Sequence, residues 1–219
     1  MNDSDLELAQ LLCTRLCHDL AGPIGAVAAG VELIGDDPSM ADAETIGLIG
    51  DSSSAASRKL KFLRAALGLA QSTAGDLKGL VEDYVTTTAG PGARIEVTWP
   101  ATPALDKASR AFGPSWIQSV LNLCLLTLEA QPGCRSLEIA TETSATVKVA
   151  LTARTAAGRS VNSREDLRQA AASTAPAALT AKTVQAYFAG KIVRGLGGTL
   201  TLSPLADGLS VIAEVPAVS

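Results

Sequence analysis

The sequence predicts an α+β fold. An N-terminal antiparallel helical hairpin over residues 1–73 would form a four-helix bundle in a homodimer, and an α/β sandwich domain would follow over residues 76–219. Three observations carry this. Two long N-terminal stretches place apolar residues at steps of three and four, divided by the turn sequence Gly35-Asp36-Asp37-Pro38-Ser39. After Gln71-Ser72-Thr73-Ala74-Gly75 the pattern changes to short helices mixed with alternating strands. Hydrophobic residues make up 47% of the chain but aromatics only 3%, which favours alanine-rich helices over an aromatic-rich β-sandwich.

The first helix is expected over residues 5–34. At 100° per residue, Ala9, Cys13, Leu16, Leu20, Ile24, Val27, Val31 and Ile34 fall within an arc of roughly 80°. That narrow stripe suits a bundle seam. The second helix is expected over residues 41–71, with Ile46, Ile49, Ser53, Ala56, Leu60, Leu63, Leu67 and Ala70 in heptad steps. A short connection makes the two an antiparallel hairpin. Two hairpins bury both stripes better than one, so a homodimer is expected. Arg58, Lys59, Lys61 and Arg64 form a basic run on the second helix, read as a solvated face, with contact of some of it to an acidic partner surface as the alternative.

Beyond the hairpin, a short helix is expected at 76–87, a strand at 94–99 closed by Pro100, and a helix at 114–130 stopped by Pro132-Gly133. Strands are expected at 136–141 and 146–154, and helices at 163–171 and 177–194. A final hairpin at 197–203 and 209–215 turns around Asp207-Gly208. Helices segregated over a largely antiparallel sheet give the α/β sandwich.

His18 is the only histidine in the chain. It falls roughly 160° from the centre of the apolar stripe, so it is expected to face outward. Around it lie Thr14, Arg15, Ala21, Gly22, Gly25 and Ala29. Gly22, Gly25 and Pro23 are costly inside a helix, at about 0.5–1 kcal/mol for each glycine and about 3 kcal/mol for the proline. Pro23 also leaves the Asp19 carbonyl without its helical donor. Bare backbone beside a lone imidazole lets another protein bring its own reactive group up to it.

The run His18-Asp19-Leu20-x-x-Pro23-Ile24 resembles the phospho-acceptor box of sensor histidine kinases. The longer Leu12-Cys13-x-Arg15-Leu16-x-His18-Asp19-Leu20-x-Gly22-Pro23 is similar to ChpT-type histidine phosphotransferases. The resemblance implies a C-terminal domain like a degenerate histidine-kinase ATPase domain. Val120-Leu121-Asn122-Leu123-Cys124-Leu125-Leu126-Thr127 resembles the kinase box that supplies asparagines to nucleotide and metal. Asn122 fits the first of them, and Leu126 stands where the metal-binding one would be. The Asp-x-Gly-x-Gly motif is missing; Leu151-Thr152-Ala153-Arg154-Thr155-Ala156-Ala157-Gly158 stands in that region. Gly195-Leu196-Gly197-Gly198 is too short for a glycine-rich lid and reads as a helix end.

The resemblance implies a histidine phosphotransferase with His18 as phospho-acceptor, assisted by Asp19. Arg15, Ala21, Gly22 and Gly25 would form the receiver-docking surface. The phosphoryl group would pass from the receiver domain of a hybrid sensor kinase (CckA-like) to response regulators (CtrA-like, CpdR-like). No cofactor of its own is implied, and Mg²⁺ would come with the receiver. An ATP-dependent kinase core and a non-catalytic scaffold or inhibitor are the alternatives.

Composition narrows the classes further. Net charge is −4 with no dense basic patch, so nucleic acid is not an expected partner. No uninterrupted apolar run of about 18 residues appears, so no membrane span is expected. The acidic start Asp3, Asp5, Glu7 is unlike a signal peptide, and a cytoplasmic location is expected. Cys13, Cys17, Cys124 and Cys134 contain no CxxC pair and read as free thiols, with Cys13 in the helix seam. Cys13-Thr14-Arg15-Leu16-Cys17-His18 has one residue too many for haem attachment.

Overall fold

The computed structural model describes residues 3–68, 74–89, 94–99, 103–156, 164–175 and 179–217. The hairpin is present. Helix α1 (Asp3–Asp36) runs on through Pro23, and a 3₁₀ turn (Pro38–Met40) leads into α2 (Ala43–Leu67). Asp37 and Asp42 build that corner. Asp37 Oδ1 accepts from the Ser39 amide at 2.9 Å, and Asp42 Oδ1 accepts from the Thr45 amide at 2.8 Å as the N-cap of α2. Both carboxyls are held below the usual carboxylate range, Asp37 chiefly by the Ser39 hydroxyl at 2.7 Å and then by the Ser39 amide, and Asp42 chiefly by the Thr45 amide. Gly30 lets the helices close, since a Cβ there would stand 2.5 Å from Ile49 Cγ1.

The remainder is α3 (Ala74–Thr88), β1 (Glu96–Thr98), α4 (Pro103–Phe112), α5 (Pro114–Ala130), β2 (Ser136–Thr143), β3 (Thr146–Arg154), α6 (Glu165–Ala172), α7 (Val184–Gly195), β4 (Thr199–Leu205) and β5 (Gly208–Pro216). The sheet order is β1-β2-β3-β5-β4, antiparallel except for the parallel β1–β2 pair. Alternation sets its inner face: Leu137 and Ile139, then Val149, Leu151 and Ala153, then Val211, Ala213 and Val215 are all buried. On that face lies α5, apolar almost all round and hence a core helix.

The expected strands and most expected helices are found, with four differences. Helix α2 stops at Leu67 with Gly68 as its C-cap, short of the expected 71. Helix α4 was not anticipated, although Leu105, Ala108 and Phe112 carry a short helical repeat. Helix α7 begins at Val184, not at 177. Before it, the Thr183 hydroxyl accepts from the Thr180 amide at 3.0 Å, and this local bonding competes with an earlier helical turn. The last hairpin turns on Ala206-Asp207, because Leu205 pairs with Gly208. Gly208 answers to close approach there, since a Cβ on it would collide with the Ala153 carbonyl. Gly197, at φ +75, ends α7 as a helix stop.

The expected boundary at 73–76 begins in residues 69–73, outside the described residues, yet the core on either side is continuous. Phe62, Leu63 and Ala66 at the foot of α2 are fully buried together with Leu77, Val81 and Leu121. Phe62 stacks on Tyr84 at 4.1 Å between ring centroids. The sheet domain therefore grips the base of the hairpin.

The expected seam is corrected by the single chain. The α1 face turned inward carries Leu8, Leu12, Leu16, Leu20, Val27 and Ile34, whereas Ala9, Cys13, Ile24 and Val31 are exposed. The periodic stripe spans two adjoining faces, only one of which packs on α2. On the other, Ile24 is 55% and Val31 56% exposed, and α2 likewise exposes Ile46 and Leu60. Cys13 and Cys17 are exposed; Cys124 and Cys134 are buried, and all four are free thiols. Helix α1 is long and apolar enough to cross a bilayer, with a mean hydropathy of 1.2 over 18 residues. Its Arg15 and Asp19 are instead tied to charges of this same protein, as described next.

Candidate functional site

His18 lies in the middle of α1 with its side chain 87% exposed. Ala21, Gly22 and Gly25 are exposed beside it, and a Cβ on either glycine would meet nothing within 4 Å. An open, low-relief surface thus borders the imidazole. Its Nδ1 is 3.4 Å from Asp19 Oδ1. A proton on Nδ1 facing that carboxylate leaves the Nε2 lone pair directed at solvent, free to attack an electrophile.

Asp19 is the hub of the site. Its second oxygen is 3.6 Å from Arg15 Nε, one helical turn back. Its main-chain carbonyl, which Pro23 deprives of a helical donor, is met by Lys59 Nζ of α2 at 3.4 Å. Part of the basic run is therefore not a solvated face: Lys59 sits against the stretch of α1 that carries His18.

Arg15 is where expectation and structure part. It was expected on the receiver-docking surface. Instead its side chain is 13% exposed, and NH1 donates to Glu129 Oε2 on α5 at 2.7 Å. The physical reason is position: Arg15 shares the inward face of α1 with Leu12 and Leu16, and a half-buried guanidinium there needs a carboxylate. Burial pushes the Glu129 carboxyl up, opposed by the charge and hydrogen bond of Arg15. Burial likewise raises the Tyr84 hydroxyl, with a further push from Asp19. Glu129 and Lys59 carried no signal as site residues. Glu129 is 114 positions from Arg15, and only the packing of α5 on the hairpin brings them together.

Asn122 is at the expected place on α5 but is fully buried. Its Nδ2 donates to the Ala66 carbonyl of α2 at 2.6 Å and to the Gln118 carbonyl at 2.8 Å, while its Oδ1 accepts from Gln185 Nε2 at 2.8 Å. Its amide is fully engaged in clamping the hairpin to the sheet domain. Leu126, also buried, offers no ligand. Among the described residues no group of three or more His, Cys, Asp or Glu is arranged to hold a metal ion.

The site is thus an exposed histidine on a helical hairpin, followed by a helix-and-sheet domain. The family model "Histidine phosphotransferase C-terminal domain" matches residues 74–208, and the chain belongs to that family. It is 28% identical over 217 residues to the protein phosphotransferase ChpT of Brucella abortus (strain 2308), covering 96% of this chain and 97% of that one. A solved bacterial phosphotransferase superposes with a TM-score of 0.74 at 25% identity, over 97% of this chain and 98% of its own. A blue-light-activated histidine kinase domain from Erythrobacter litoralis aligns at 16% identity with a TM-score of 0.46, over 99% of this chain and 95% of its own.

Proposed function

We propose that this chain relays a phosphoryl group between receiver domains through His18. The donor is the receiver of a hybrid sensor kinase (CckA-like), and the acceptors are response regulators (CtrA-like, CpdR-like). The carrying observation is the exposed imidazole whose Nδ1 faces Asp19 beside the bare surface of Ala21, Gly22 and Gly25. In the first half-reaction Nε2 attacks the phosphorus of an aspartyl phosphate. The P–N bond forms, the acyl phosphate P–O bond breaks, and the aspartate leaves as a carboxylate. The proton on Nδ1 stays opposite Asp19, which balances the positive charge of the phosphorylated ring. In the second half-reaction a receiver carboxylate attacks the same phosphorus, and the imidazole leaves neutral.

Such transfer depends chiefly on alignment and charge neutralisation. Mg²⁺ arriving with the receiver would neutralise phosphoryl oxygens. The role of this chain is to hold the imidazole on a rigid helix, keep the surface around it flat, and place the Lys59 ammonium nearby. Ala21, Gly22 and Gly25 form the docking face in this reading. The exposed stripe of Ile24, Val31, Ile46 and Leu60 is covered by a second copy, giving the four-helix bundle and one His18 on each side. The engaged Asn122 amide supports transfer without ATP-dependent kinase activity. The ion pair of Arg15 with Glu129, which ties the apolar helix α1 to this protein's own α5, supports a cytoplasmic location.

The test is incubation first with labelled ATP alone, then with a phosphorylated receiver. Acid-labile label should enter only in the second tube and vanish in His18→Ala. Label from ATP alone would identify a kinase, and none in either tube a scaffold. Sedimentation equilibrium should give twice the chain mass.

A further inference from the structure

We infer that Glu129 is a positioning residue for His18, acting through Arg15 and Asp19 from the sheet domain. This rests on the reading of His18 as the phospho-acceptor. The contacts form one continuous path. Glu129 Oε2 holds Arg15 NH1 at 2.7 Å, Arg15 Nε faces Asp19 Oδ2 at 3.6 Å, and Asp19 Oδ1 faces His18 Nδ1 at 3.4 Å. Glu129, Arg15 and Asp19 are 19%, 13% and 21% exposed, and His18 at the end of the path is 87% exposed.

Arg15 Nε is buried and has no hydrogen-bond partner. A guanidinium is planar, so fixing NH1 on Glu129 also fixes the direction of Nε. That direction is towards the Asp19 carboxylate, whose unengaged rotamers would otherwise turn away from the ring. The Glu129 backbone is itself restrained, as Arg164 NH1 approaches its carbonyl at 3.5 Å. The path therefore starts on a packed core helix and ends on the reactive imidazole. A free imidazole favours the proton on Nε2, which would block the attacking atom. A carboxylate held opposite Nδ1 reverses that choice. The sheet domain thus sets the tautomer of His18 without touching it.

The full-length protein tests this through Glu129→Gln, Arg15→Lys and the double variant. Because His18 is the only histidine, its ¹⁵N spectrum reports the tautomer without assignment. Glu129→Gln should move the ring towards the Nε2–H form and lower the rate of phosphate uptake from a phosphorylated receiver about tenfold to a hundredfold, with KM nearly unchanged. Arg15→Lys should slow uptake as well, because an ammonium has no planar fork that aims one donor at Asp19 once another is fixed on Glu129. The double variant should be no slower than Arg15→Lys alone, because both act along one path.

Lys191→Ala, which breaks the separate tie to Asp5 at 2.9 Å between α7 and α1, is the structural control and should leave uptake unchanged. Unaltered tautomer and rate in Glu129→Gln would overturn the inference, as would additive effects in the double variant or an equal loss in Lys191→Ala. His18→Ala separates the two readings. If it still accepts phosphate the phosphotransfer reading fails, and if it is dead while Glu129→Gln matches wild type only this inference fails.

Discussion

Asn122→Leu should destabilise the protein strongly, because this side chain is a clamp between the hairpin and the sheet domain. Leucine fills a similar volume, so the cost is polar. The Ala66 carbonyl in the last turn of α2 loses the donor now 2.6 Å away. The Gln185 amide loses its acceptor at 2.8 Å, keeping only the weaker approach to the Asn122 carbonyl at 3.4 Å. Each buried group left unpaired costs about 1–3 kcal/mol, so the sum is about 2–4 kcal/mol after discounting Gln185. The Gln118 carbonyl adds little, being within the ladder of α5.

With a urea m-value of about 2 kcal/mol/M, the unfolding midpoint should fall by about 1–2 M at fixed protein concentration. Adding Gln185→Leu removes one orphan, so Asn122→Leu/Gln185→Leu should recover part of the loss. A single variant within about 0.5 kcal/mol of wild type, or a double variant less stable than the single, would refute the clamp. The same residue in a nucleotide site would govern ATP affinity and leave the midpoint almost unmoved.

Gly25→Ala should raise the melting temperature slightly, since its Cβ meets nothing and alanine gains about 0.5–1 kcal/mol in a helix. Gly30→Ala should lower it relative to Gly25→Ala, since its Cβ would press on Ile49 and overpacking costs about 1–3 kcal/mol; equal melting curves would exclude the close approach. Gly22→Leu and Gly25→Leu should keep the fold yet slow transfer to a receiver, and unaltered rates would show the bare surface to be incidental. Asp42→Ala should melt earlier than wild type at pH 7. The hydrogen-bonded Asp42 carboxyl titrates below its unfolded counterpart, so its contribution is present above the usual carboxylate range and lost as pH falls through its own lowered value. The gap between the two melting curves should therefore close in strong acid.

What the sequence shows of this protein is what lies close together along it. The hairpin, its Asp-Pro corner and the β4–β5 turn are set by neighbours a few positions apart, and the His18 box is one continuous run. The rotation of the α1 seam was not legible. Ile24 and Val31 share the periodicity of Leu20 and Val27, and only the packing of α2 on one side distinguishes them. Arg15 reads as a surface residue until Glu129, far along the chain, is folded against it. Asn122 reads as a remnant of a nucleotide box, and its engagement with Ala66 and Gln185 is visible only in three dimensions. Helix α4 was missed although its repeat is present, because its ten residues give fewer than three turns over which to see it.

The buried foot of α2 also orders events during synthesis. The hairpin leaves the ribosome before the sheet domain, and Phe62, Leu63 and Ala66 have no cover until α3 and α5 follow. At a few to some twenty residues per second, that interval lasts several seconds. For that time the nascent chain carries an apolar surface that its own later segments must bury. The imidazole can thus be displayed on a completed hairpin only after the helix bearing Asn122 and Glu129 has been made.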